Sequence, residues 1–149
     1  MAGSSLKIDF EDSGFQAFLE KLTAEDLYKI EKSIGLEMAE VARDHLEEHK
    51  TPEGKSMAKW SSRYEKRVKD SGERRDILLG PERRLHRSMT FSVETDGIYY
   101  GSAMVYARAH QEGFNKRNLP ARPYLGMGEE EKQGIDDVIV DFMNRVRQI

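Results

Sequence analysis

The sequence predicts an α+β domain: a long amphipathic N-terminal helix and a C-terminal helix packed on a small antiparallel sheet, with a basic extended arm between helix and sheet. Three observations lead there. Apolar residues keep helical spacing from Leu27 to Leu46, alternate at strand spacing on both sides of Asp96-Gly97, and return to helical spacing from Ile135 to Val146. At 149 residues the chain has the size of one folding unit, read here as a single domain over 1–149 with a flexible arm at about 55–87.

In chain order, Phe15, Phe18, Leu19 and Leu22 share one helical face and predict a short first helix. Thr23-Ala24-Glu25-Asp26 supplies an N-cap hydroxyl and first-turn acids, and Leu27, Ile30, Ile34, Met38, Val41 and Leu46 then carry a long helix to about Lys50. Thr51-Pro52-Glu53-Gly54 reads as a turn, because proline fixes φ and glycine accepts positive φ. From 55 to 87 the pattern weakens and charge rises, with short helices expected around Trp60 to Lys69 and Glu82 to Arg87 and a mobile stretch between them. Met89, Phe91 and Val93 form one strand of a hairpin, Asp96-Gly97 its two-residue turn and Ile98 to Met104 the return. A short helical segment ends at Gly113, and Phe114 to Asn118 is a polar, basic loop. Leu119-Pro120-Ala121-Arg122-Pro123-Tyr124-Leu125 is held extended by its prolines and is expected at an edge or interface. Glu129, Glu130 and Glu131 suit the start of the last helix, where the dipole favours negative charge.

Composition excludes several classes. Without cysteine there is no disulfide framework, thiolate nucleophile or cysteine-ligated zinc. Mean hydropathy is −0.73 and no apolar stretch is long enough to span a bilayer, so no membrane role is expected. The start, MAGSSLKIDF, lacks the features of an export signal. The net charge of −3 conceals an acidic front and a basic middle, where Lys55, Lys59, Arg63, Lys66, Arg67, Lys69, Arg74, Arg75, Arg83, Arg84 and Arg87 crowd together. Such polarity suits a subunit that meets copies of itself or other acidic partners.

Several local patterns admit a chemical reading and a plainer one. His45-Leu46-Glu47-Glu48-His49 fits the H-x-x-E-H of inverted zinc peptidases, but a helix end is where histidines serve terminal carbonyls, and no third ligand stands out. Ser56-Met57-Ala58-Lys59 is an S-x-x-K without the elements that accompany it in acyl enzymes. His110 and Gln111 are read as satisfying buried backbone groups. The basic stretch is able to neutralise phosphates, yet no nucleic-acid recognition motif accompanies it. No catalytic, cofactor or metal residue is assigned, and the chain is expected not to be an enzyme.

Five features in order resemble the phage virion morphogenesis or tail-completion proteins of Mu-like and related tailed phages. They are the long helix; Thr51-Pro52-Glu53-Gly54 leading to Trp60; the basic stretch to Ile77-Leu78, then Leu85 and Ser88; Tyr99-Tyr100-Gly101-Ser102 through Tyr106-Ala107 to His110-Gln111-Glu112-Gly113; and Leu119-Pro120-Ala121-Arg122-Pro123-Tyr124-Leu125-Gly126. The likeness spans roughly 25 to 147, and its last two pieces are the specific ones. Gly80-Pro81-Glu82-Arg83-Arg84 departs from the family's usual small hydroxyl residue before the leucine.

The resemblance implies a structural protein of the virion tail or neck, made in the host cytoplasm, that finishes the tail and joins it to the head. It further implies a homo-oligomeric ring, a hexamer by the symmetry of tails. Tail terminator or tail tube proteins and head–tail connector or neck proteins are then its partners, with DNA met only incidentally in the channel. A tail terminator or connector is the nearest alternative, and a basic-armed nucleic-acid-binding module the alternative of another class. Candidate partner-interface residues are Trp60, Arg83, Arg84, Gln111, Pro120, Arg122, Pro123 and Tyr124, because interface energy concentrates in aromatics and arginine and proline stiffens a docking segment.

Overall fold

The computed structural model describes residues 3–9, 11, 13–73, 76–80 and 82–147. Arg74, Arg75 and Pro81 of the expected arm lie outside the described residues. The elements run β1 Ser4–Ile8, α1 Ser13–Leu19, α2 Ala24–Glu48, α3 Ser62–Ser71, α4 Arg84–Arg87, β2 Thr90–Glu94, β3 Gly97–Ser102, α5 Ala107–Glu112 and α6 Glu129–Arg147, with a 3-10 turn at Asn115–Arg117. This is an α+β fold. No helix among the described residues is long and apolar enough to cross a membrane.

Helix α2 forms where its cap and its periodicity agree. Thr23 has extended backbone angles, and its hydroxyl accepts from the Asp26 amide at 3.1 Å. Ile30, Ile34, Met38 and Leu46 on its buried stripe are almost wholly inaccessible. The helix stops at His49, whose φ of 55° is left-handed. The Thr51 turn then closes as expected, the Gly54 amide donating to the Thr51 carbonyl at 2.8 Å with Gly54 at φ 80°.

The sheet is antiparallel, in the order β1-β3-β2. Its third member is the N-terminal strand β1, which the sequence reading did not include, rather than the proline run near the C-terminus. Leu6 and Ile8 alternate with Ser5 and Lys7 in β1, and Ile8 pairs with Ile98. Pro120 and Pro123 have no N–H to give a ladder, so their segment stays extended without joining the sheet. The hairpin turn sits one residue earlier than expected: Glu94 pairs with Gly97, leaving Thr95 and Asp96 as the loop. Gly97 takes φ 151°, an angle open to glycine and costly for other residues.

Helix α2 packs on β2 and β3 and, along another side, on α6. Gly35 lets α2 close on the sheet, since a Cβ there would stand 2.5 Å from the Phe91 ring. The core gathers Ile8, Ile98 and Tyr100 from the sheet, Leu85 and Met89 ahead of it, Tyr124 and Leu125 from the proline run, and Ile135 from α6. The described part of 55–87 is anchored to this body by Met57 and Leu85, both buried in the core cluster.

One polar pair sits inside. His45 in the last turns of α2 and Glu131 in the first turn of α6 are 2% and 1% exposed, and Nε2 stands 2.6 Å from Oε1. The other Glu131 oxygen accepts from the Gly128 amide at 3.0 Å. Burial disfavours the His45 cation, but the Glu131 hydrogen bond and the charges of Glu131, Glu130 and Glu48 outweigh it, and the imidazole is raised above its ordinary value.

Removing one member strands the other's charge, so His45→Ala is expected to cost about 3–5 kcal/mol in denaturant unfolding. The sign of the pH dependence follows from the raised value. The stabilisation from His45 protonation is complete below its ordinary pKa of 6.5 and is lost as pH rises through the higher folded-state value. The stability advantage of the parent over His45→Gln should therefore shrink as pH is raised above 6.5 in urea titrations; an advantage that grows as pH rises contradicts the assignment.

Candidate functional site

Two segments far apart in feature but close in sequence, α5 and the proline run, are bound into one unit. Gln111 in α5 accepts from the amides of Tyr124 and Leu125, both at 3.0 Å, and donates to the Leu125 carbonyl at 2.9 Å. Its side chain does for the extended segment what a neighbouring strand would do. The Arg122 amide donates to the His110 carbonyl at 2.7 Å, and the Tyr124 hydroxyl to the Ala107 carbonyl at 3.0 Å. Below this unit, Tyr100 donates to the Gly126 carbonyl at 2.8 Å, and Gly126 and Gly128 lie so close to Pro52 that neither has room for a Cβ.

Beside the unit opens a groove of about 1150 Å³. Trp60 and Tyr64 form one wall, their rings edge to face with centroids 5.3 Å apart. Leu78, Tyr106, Leu119 and Pro120 add apolar surface. Among the described lining residues, Lys59, Arg83, Arg84, Arg117 and Arg122 face only Glu73, Asp76 and Glu82, so the groove is net basic.

These cations differ in how they are compensated. Arg83 donates to Glu47 at 2.6 Å, and His86 reaches the same oxygen at 2.8 Å; the Arg83 hydrogen bond chiefly holds the Glu47 carboxyl below its usual range. Arg84 pairs with Glu82. Arg122 is 5% exposed and bonds carbonyls alone: Nε donates to Ala58 at 2.6 Å and Nη2 to Lys59 at 3.0 Å. No described carboxylate lies within ion-pair distance of Arg122, Lys59 or Arg117. Burial draws the Arg122 guanidinium below its ordinary value; burial first, then Arg122, does the same to His110, which packs edge-on against Tyr106.

Of the candidate interface residues, the structure brings Trp60, Arg83, Arg84, Pro120 and Arg122 to this one groove. Pro123 lies apart, against Thr51 and Pro52. Tyr124 and Gln111 lie in the clamp beside the groove: Tyr124 is 0% exposed and the half-buried Gln111 spends its amide on the chain's own backbone, so both side chains hold the subunit's own segments together. Arg122 is likewise internal on two of its donors. Tyr64, Tyr106, Leu78 and Arg117 also line the groove and are not among the interface residues expected from sequence; the mixed aromatic and basic texture of 59–64 and 106–117 is the signal for them.

The local chemical patterns find structural uses here. The S-x-x-K segment buries Met57 and lends the Ala58 and Lys59 carbonyls to Arg122. In the H-x-x-E-H segment, His45 is committed to Glu131 and His49 caps α2. Among the described residues, no group of three histidine, aspartate or glutamate side chains is placed to hold a metal ion.

Because Gln111 satisfies three backbone groups at once, Gln111→Ala should destabilise the monomer by about 2–4 kcal/mol, whereas Tyr124→Phe, losing the hydroxyl's bond to Ala107, should cost about 1 kcal/mol. Thermal and urea unfolding measure both. Equal, negligible effects would mean that the clamp does not hold the proline run.

No curated protein and no solved structure matches the chain. A family model does match, over residues 10–144, a span that takes in α2, the hairpin, the Gln111 clamp with its proline run, and most of α6. On that match the chain belongs to the phage virion morphogenesis family.

Proposed function

We propose that this chain completes the phage tail and joins it to the head or neck, assembling as a ring at the tail's head-proximal end. Membership of the family gives it a structural role in building a phage particle, in a family not known for catalysis. The observation that most supports the finer reading is the groove. A broad, aromatic and net basic concavity with uncompensated cations suits macromolecular contact, where aromatic anchors and arginine carry the energy.

A ring requires heterologous contacts that close, so each subunit presents two unlike surfaces. Self-association, with sixfold symmetry matching the tail, is therefore part of the proposal. Tail terminator or tail tube proteins on one side and connector or neck proteins on the other are its further partners, while DNA only passes through the channel. Trp60, Arg84 and Pro120 at the groove are the proposed contact residues; Arg83 is tied to Glu47 and Arg122 forms the floor.

Particles assembled without the chain should accumulate as separate heads and tails in electron micrographs, and purified chain added back should restore joining. Labelled chain should appear at the head-proximal tail end. Normal joined particles formed in its absence would refute the proposal.

A further inference from the structure

The groove carries positive charge that the subunit itself does not neutralise. Arg122 is nine-tenths buried on its floor with only carbonyl partners, and Lys59 and Arg117 at its edge have no described carboxylate within reach. Carbonyls satisfy donors but not a net charge, and a carboxylate brought beside a guanidinium in a partly desolvated groove makes a strong, charge-assisted hydrogen bond.

Elsewhere the same chain has the opposite imbalance. Asp44 and Glu48, in the last turns of α2, stand beside Glu130 at the start of α6. Asp44 has no described cationic partner; Glu48 has only Lys50 at 3.9 Å, and Glu130 only the His45 ring at 3.9 Å. The Asp44 carboxyl is raised, by burial first and then by repulsion from Glu48, Glu47, Glu40 and Glu130. Carboxylates that repel one another on a surface are relieved by an external cation. The groove and this corner share no residue, as a head-to-tail contact demands.

We infer that the basic groove of one copy receives the acidic corner of the next, with Asp44, Glu48 and Glu130 facing Lys59 and Arg117 across the contact, above the Arg122 floor. This rests on the self-assembly reading above and names the two surfaces that carry it. The aromatic wall of Trp60 and Tyr64 excludes water beside the charges, which strengthens them. Charge sets the register and the order of subunits; the apolar wall adds the area.

The test uses the full chain and sedimentation velocity over a concentration series. One variant carries Lys59→Glu with Arg117→Glu; a second carries Asp44→Lys with Glu130→Lys. All four side chains are exposed, and circular dichroism reports whether each variant folds as the parent does. Each variant alone places like charges opposite one another and should self-associate on the order of a hundredfold more weakly. Their equimolar mixture restores opposite charges at every contact and should assemble as the parent does. The parent's own association should weaken as salt is raised, a measurement that needs no variant.

If both variants assemble normally, if mixing restores nothing, or if the parent ignores salt, the pairing of groove and corner is wrong while self-assembly stands. If the parent remains a monomer at every concentration, both readings fall.

Discussion

The buried pair of His45 and Glu131 is the constraint around which the rest is arranged. Both side chains are 2% exposed, and together they join the end of the longest helix to the start of the second longest. Two opposite charges withdrawn from water gain little net stability over a well-packed apolar pair; what they do is penalise every arrangement in which they are apart. Helix α6 can therefore begin at one place only. That fixes the Gly126–Gly128 bend against Pro52, and the bend presents the Gly126 carbonyl to Tyr100 in the central strand. Sheet, long helix and last helix are thus referred to one buried contact, and Glu131 in turn contributes to raising the Tyr100 phenol, behind burial.

Much of this was legible in the residues. Helices α2 and α6 and the hairpin announce themselves because each buries one face, and burial of one face imposes a period. Thr23 as a cap and the Thr51 turn follow from local chemistry that needs no tertiary partner. Strand β1 was not legible: five residues with two apolar positions give too short a period, and its existence depends on an edge of β3 that lies some ninety residues onward. Nor do residue types reveal where a side chain is spent. Tyr124 and Arg122 have the composition of an interface, yet they answer to Ala107, Ala58 and Lys59, and such pairings at a distance carry no periodic mark. Glu131 reads from sequence as a first-turn acid favoured by the dipole; its partner is 86 residues away.

Helix α5 and the proline run are halves of one device. An extended run with two prolines cannot be knitted into a sheet, so its remaining amides need acceptors from elsewhere. A glutamine in the neighbouring short helix offers acceptor and donor on one planar group, and with them binds two successive residues. The groove is a by-product of that device, since the clamped run supplies Pro120 and Arg122 to one side of it.

Arg122 reaches two consecutive carbonyls through adjacent nitrogens of a flat, rigid head. A lysine would bring the same charge as a rounded, freely turning tip and meet one of those oxygens well at best. The path by which the main chain leaves Met57 for Trp60 is consequently drafted by the planarity of a single guanidinium, so that the outline of the groove's far bank is inherited from a bond order rather than from a sum of charges.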